Sequence, residues 1–529
     1  MLPLPGLTRS LPVSLLLPAL VLALAWVAPA TARIPPDVLV VGQIAEPRSM
    51  DPQVVTAVND FRILINLYDG LVRYVDGSLE VEPALATDWA ISEDGLTYTF
   101  QLREDVQFHD GTAFDADAVV FNFERMLDPE HPYHDTGPFP LAFFFDAVRE
   151  VEATAPHEVV FRLDKPFAPL LSNLAYPTGL IVSPAAVQQH GPNYGRNPSG
   201  TGPFQFARWQ TNRQVALQRN PDYWDGASEL AGVVFRPLTD VNARVTEMLS
   251  GGIDLMVEVP PDNVALFADS PDFQLYEQAG PHLWFLILNT REGPFQDRRV
   301  RQAVNYAIDK RSLVEDVLQG TATIAAGPTP AAFAWAYNDA LVPYPHDPER
   351  ARELLAEAGH GDGVQLTFYV TEGGSGMLDP ISMGTAIQAD LARVGIDVRI
   401  RTYEWNSFLE RVNSGLAGKA DMAQMAWMTN DPDTLPYLAL RTDAWPERDG
   451  FNSGYYSNPE VDALLEQARV STDPDERATL YRQMQAIVQE DAPWAFIASW
   501  KQNAVSTARV HDFRLQPSFL LDLRGVGKR

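Results

Sequence analysis

Cysteine is missing from all 529 residues. Its absence excludes disulfides, thiolate metal sites and a thiol nucleophile, so the fold must rest on packing and polar pairing. It also leaves no amino-terminal cysteine to carry a lipid. Basic residues are scarce: 40 stand against 69 acidic ones, for a formal charge of −29. That balance disfavours nucleic acid and anionic membrane surfaces, which would repel the chain. It suits solubility, and it mildly favours cationic or zwitterionic ligands. Beyond the amino-terminal stretch no uncharged run is long enough to span a bilayer. Catalytic signatures are missing too. The Gly373–Gly376 loop continues into Met377 where a nucleophile elbow needs glycine. His157-Glu158 has no second histidine at zincin spacing. Gly200-Thr201-Gly202 runs into Pro203, which fits a tight turn better than a phosphate loop. His131 and His134 share a proline-bounded loop that offers no further ligands. The expectation is a non-enzymatic protein without cofactor or metal.

What is present begins with a leader. Leu11–Ala28 is an apolar run behind Arg9, closed by Ala30-Thr31-Ala32. This is the layout of a cleavable secretory signal over residues 1–32, cut before Arg33. Pro12 and Pro18 interrupt the run and no stop-transfer cluster follows, which argues against a membrane anchor. A soluble, exported, periplasmic protein is expected. The mature part is long enough for two or three domains. Its 42 prolines and 34 glycines are spread along the chain, as in a protein with many well-formed turns.

Strand and helix patterns alternate, which predicts a mixed α/β architecture. Tyr98, Phe100 and Leu102 alternate with polar neighbours, as do Val159, Phe161 and Leu163. Leu366, Phe368 and Val370 repeat the pattern, followed by Ile396, Val398 and Ile400. Asp347-Pro348, Asn458-Pro459 and Asp473-Pro474 each place a side-chain acceptor at a helix cap and proline at the first helical position. Asp297–Leu318 reads as the longest helix. Its buried face would be Val300, Val304, Ala307 and Ile308, with Arg298, Arg299 and Arg301 in water.

The stretch Ala84–Arg125 resembles the signature region of the family 5 (cluster C) solute-binding proteins of ABC importers, which take up dipeptides, oligopeptides, nickel complexes and related solutes. Further similar motifs follow in order. They are Glu46–Pro52, Leu67–Leu71, Ser199–Phe204, Asn220–Trp224, Phe295–Asp309 and Trp427–Asp433. The resemblance implies a type II periplasmic-binding-protein fold, with two hinged lobes and an additional domain. Lobe I would comprise 33–80, 190–277 and 500–529, the extra domain 81–189, and lobe II 278–499. It implies capture of a solute between closing lobes and delivery to a membrane permease with its ATPase subunits. The receptor itself would be a monomer.

The same resemblance points to binding residues. Peptide-binding members carry a tryptophan followed three positions later by an aspartate that holds the ligand's α-amino group. Trp427 matches, but Asn430 stands in the aspartate's place with Asp431 next to it. Asparagine cannot neutralise an ammonium, so either Asp431 takes over or the ligand lacks a free amino terminus. Dipeptide binders supply an arginine for the ligand carboxylate roughly thirteen residues before a segment matching Ile387–Asp390. Here that position is Gly374. A simple dipeptide is therefore disfavoured. An oligopeptide held through its backbone, a modified peptide, an opine-like conjugate or an oligosaccharide stays open. Trp284, Trp405, Trp427, Tyr455 and Tyr456 are the aromatic candidates for contact. The alternatives are a nickel- or metal-chelate receptor of the same fold, for which His282 beside Trp284 is the available ligand, and a secreted hydrolase.

Overall fold

Apolar runs with period-2 alternation need partners for their backbone groups, and here most of them find one sheet. The computed structural model describes residues 35–374, 376–448 and 450–529. The expected signal, 1–32, and its cut before Arg33 lie outside these. Across the twelve-stranded sheet the order is Ile396–Tyr403, Val364–Thr371, Met422–Met428, His282–Leu288, Trp494–Thr507, Leu255–Val257, Val38–Gln43, Gly232–Pro237, Gln214–Arg219 and Phe204–Gln210. Phe273–Ala279 and Ala322–Ile324 also pair with Trp494–Thr507. Every residue of His282–Leu288 is buried, as in strands covered on both faces.

The fourteen-residue strand Trp494–Thr507 organises the molecule. Its first half pairs with His282–Leu288 and its second half with Leu255–Val257 and Phe273–Ala279. One core draws on residues between Leu39 and Val257 and on Ala504–Val526 of the chain's end. Two further cores cover the faces of the other half of the sheet, one including Trp284, Val300 and Ile387, the other Leu283, Phe408 and Tyr481. A separate four-stranded sheet between Ala86 and Leu163 packs with the helix Ala116–Leu127 around Phe100, Phe123 and Phe161.

The ordered motifs turn out to be structural joints. Asp69 accepts from the Thr201 hydroxyl at 2.8 Å, the Tyr223 hydroxyl at 2.9 Å and the Trp224 indole at 3.0 Å. Burial outweighs these donors and raises its pKa. His109 contacts the Gly202 carbonyl at 3.0 Å through Nε2. Arg125, fully buried, pairs with Asp51 and donates to Thr136 at 2.9 Å. Three separate motifs thus meet around Asp69.

The helix expected over Asp297–Leu318 is broken. Arg298–Ala307 is α-helical, Ile308 is extended, and a short second turn starts at Lys310. Asp309 causes the break. Its amide donates to Asp390 Oδ2 at 2.9 Å, and its own carboxylate accepts from the Ser312 amide at 3.0 Å. A side chain that competes for backbone donors restarts a helix rather than continuing one. Pro474–Asp491, with eighteen residues, is the longest described helix. Arg301 is buried rather than in water. It donates to the carbonyls of Phe295 and Asp491, both at 2.8 Å, and so satisfies a helix end.

Candidate functional site

Helix Val58–Leu64, the end of strand Leu255–Val257 and the loop after strand Val364–Thr371 converge on a cavity of about 500 Å3. Thr56, Asn59, Arg62, Tyr176 and Glu258 line it from the amino-terminal half. Gly374, Gly376, Met377, Leu378 and Met428 line it from the opposite side. Trp500 and Phe519 complete the wall. The volume falls in the range of small-molecule sites. Among the described lining residues, Arg62 and Glu258 carry the charges, and they pair at 2.7 Å. Glu258 is held by Arg62, and no second carboxylate stands beside it among the described lining residues.

The loop at Gly374–Leu378 explains one departure seen in the sequence. Gly374 has φ +152°, and a Cβ there would collide with the Trp405 ring. Trp405, half-buried and stacked on Phe408, occupies the space an arginine at 374 would need. The same loop is pinned from below by His282, whose Nε2–H donates to the Gly376 carbonyl at 2.9 Å. Its Nδ1 accepts from the Trp500 amide at 3.1 Å. Both nitrogens are engaged, and burial pulls the pKa down to about 4. His282 is therefore a neutral structural bridge and offers no free nitrogen to a metal chelate. No group of three or more potential metal ligands occurs among the described residues.

The remaining expected binding residues are dispersed. Trp284 is fully buried, opposite Ala426 and Ala498 in the sheet. Tyr456 is buried and donates to Asp491 at 2.6 Å. Tyr455, at φ +60°, packs under the Arg291 guanidinium, 3.9 Å from its ring centroid. Trp427 is half-buried edge-on to Phe451, while its neighbour Met428 reaches the cavity. Successive strand residues face opposite sides, so one step along the strand decides which residue lines the site.

Asn430 and Asp431 lie together in a second constellation. The Asn430 amide donates to Asn173 Oδ1 at 2.7 Å. Asp431, 1% exposed, accepts from Ser172 Oγ at 2.8 Å and Arg477 Nη2 at 3.0 Å. Neighbouring Asp433 pairs with Arg469 at 2.8 Å, and burial pushes its pKa up to about 6. The Arg469 carbonyl in turn accepts from the Ala168 amide at 2.8 Å. The Asn430–Asp433 loop thus latches onto the helix Leu170–Ala175 and its approach, and neither Asn430 nor Asp431 lines the cavity. Arg62, Glu258, Tyr176, Met428, Trp500 and Phe519 line this cavity without having been candidates in the sequence. Trp500 and Phe519, two of the three aromatic residues in the last thirty positions, were the available hint.

Residues 80–446 match the model of the bacterial extracellular solute-binding proteins, family 5 Middle. The chain belongs to this family. Solved relatives place the family 5 chain in the α/β, type II periplasmic-binding fold. HbpA2 from Haemophilus parasuis superposes with a TM-score of 0.86 at 31% identity, covering 93% of this chain and all of that one. Di/tripeptide-binding protein 2 of Pseudomonas aeruginosa is 34% identical over 96% of this chain and 97% of its own length. Heme-binding protein A of Haemophilus influenzae is also 34% identical, over 85% of each chain. This family 5 protein therefore shares its architecture with relatives named for different solutes.

Proposed function

We propose that this family 5 protein is a periplasmic receptor that captures a peptide-like polar solute in the cavity between its two halves and hands it to an ABC permease. The carrying observation is that a single cavity of about 500 Å3 is walled by both halves of the chain. A solute there contacts both walls only when they are together, so its differential affinity for the closed arrangement drives closure. Residues 33–80, 190–277 and 500–529 form the first lobe in this reading, 81–189 the extra domain and 278–499 the second lobe. Trp494–Thr507 and the chain around it act as the hinge. The protein works as a monomer, freed from its signal and without a lipid.

Support for a peptide-like solute comes from the lining. Tyr176, Trp500 and Phe519 offer faces for peptide planes and rings, Asn59 and Thr56 offer neutral hydrogen bonds, and one ion pair offers both signs of charge. The relative named for di- and tripeptides fits that chemistry. The engagement of both His282 nitrogens speaks against the metal-chelate reading. The test is mass spectrometry of whatever denaturation releases from natively purified protein, with thermal-shift titration of the released compound. A peptide or peptide conjugate that raises the Tm in proportion to ln(1 + [L]/Kd) supports the reading. Release of a haem, a metal chelate or a sugar would sink it, as would turnover of the bound compound.

A further inference from the structure

The resemblance led to Asp431 and the Gly374 position as places for the solute's charged ends. Asp431 is spent on Arg477 and Ser172, and Gly374, although it lines the cavity, leaves no room for a side chain under Trp405. The charged groups that do line the cavity stand on the opposite wall. Arg62, with a side chain 3% exposed, is anchored by Nε donating to the Phe519 carbonyl at 3.0 Å. Its Nη1 donates to Glu258 at 2.7 Å, and its Nη2 makes no hydrogen bond among the described residues. Glu258, 21% exposed, sits at φ +57°, a conformation non-glycine residues rarely adopt. Asn503 holds it there, its carbonyl accepting from the Glu258 amide at 3.1 Å and its Oδ1 from the Val259 amide at 2.7 Å. A second guanidinium, Arg244, lies close behind. It is 3% exposed, and its Nε has no partner among the described residues. Burial lowers its pKa against the attraction of Glu258 and Asp240. Glu258 thus pairs directly with Arg62 and also attracts Arg244, which has Asp240 as its other nearby carboxylate.

We propose that the solute is anchored by its carboxylate on Arg62, and that Glu258 occupies that place until the solute displaces it. The proposal rests on the cavity being the solute site. A planar guanidinium fixed at Nε presents its remaining nitrogens as a fork suited to a carboxylate. Glu258, once displaced, still faces Arg244 and does not become an orphaned charge. Arg62 is then the determinant that selects acids over amides and esters, in place of an arginine at 374.

The experiment uses the whole mature protein and a synthetic pool of di- and tripeptides that includes glutathione. The pool is offered once as free acids and once as carboxyl-terminal amides. Binding is read by thermal-shift titration. The free acids are expected to bind wild-type protein at least tenfold more tightly than the amides. Glu258→Gln, which removes the competing charge, should bind the acids about tenfold more tightly still, and Arg62→Met should abolish the preference for acids. Equal binding of acids and amides, or weaker acid binding by Glu258→Gln, overturns the proposal while leaving the peptide-like solute intact. Failure of both pools to stabilise wild-type protein overturns both. Should Arg62→Met not fold, the acid–amide comparison and Glu258→Gln decide alone.

Discussion

Replacing Ser172 with alanine isolates the contact between the Asn430–Asp433 loop and the helix Leu170–Ala175. The Ser172 hydroxyl donates to a carboxylate that is 1% exposed, at 2.8 Å. A hydrogen bond to a charged group contributes about 1.5–3 kcal/mol, and alanine leaves no new buried donor behind. Asp431 keeps Arg477 and the Asp433 amide, so its charge stays neutralised and the fold should be unharmed. If the contact forms only when the two halves are together, its loss weighs on closure alone. Taking about 2 kcal/mol at 0.59 kcal/mol per RT, the closed population falls relative to the open one by about 30-fold. Solute affinity should fall by a similar factor, and the radius of gyration of the unliganded protein in small-angle scattering should rise. The urea midpoint should stay within experimental error. An affinity within twofold of wild type, together with an unchanged scattering curve, would refute the idea that this latch takes part in closure.

Other perturbations probe the interior. Asp51→Asn leaves the Arg125 guanidinium buried without its counter-charge and should cost about 3–5 kcal/mol in urea denaturation; a loss below about 1 kcal/mol would show that Gln53 and Thr136 suffice. His282 binds its proton at about pH 4 in the folded state and near pH 6.5 when unfolded. Between those values the unfolded chain holds the extra proton. Its contribution is therefore present above pH 6.5 and falls by about 3 kcal/mol as the pH drops to 4. Asp433 titrates in the same window with the opposite sign, because its folded pKa is raised. The His282 part is read from the difference between wild type and His282→Gln, whose amide N–H replaces the Nε2–H donor to Gly376 and does not titrate. Parallel stability curves for the two proteins across that window would contradict the assignment.

The fold was legible because its signals are local. Alternation at Tyr98, Phe100 and Leu102 or at Leu366, Phe368 and Val370 reports a strand without reference to partners, and Asp-Pro and Asn-Pro pairs announce helix starts. The break after Ala307 is not legible locally because Asp390, which accepts from the Asp309 amide, stands 81 residues away. The site was less legible for the same reason. Arg62 and Glu258 are 196 residues apart, and Ser172 and Asp431 are 259 apart. Nothing at either position alone shows that they will meet. Trp427 and Met428 are neighbours on one strand, and of the two it is Met428 that lines the cavity. Trp284 and Tyr456 were drawn inward by the surface they had to hide from water.

Trp494–Thr507 stands in the middle of the large sheet although it comes from the last tenth of the chain. During synthesis from the amino end, the strands flanking it wait with open edges until that segment emerges. Long-range pairing of this kind forms slowly. Until that segment is in place the large sheet stays in two parts, because no other strand of the described topology joins them.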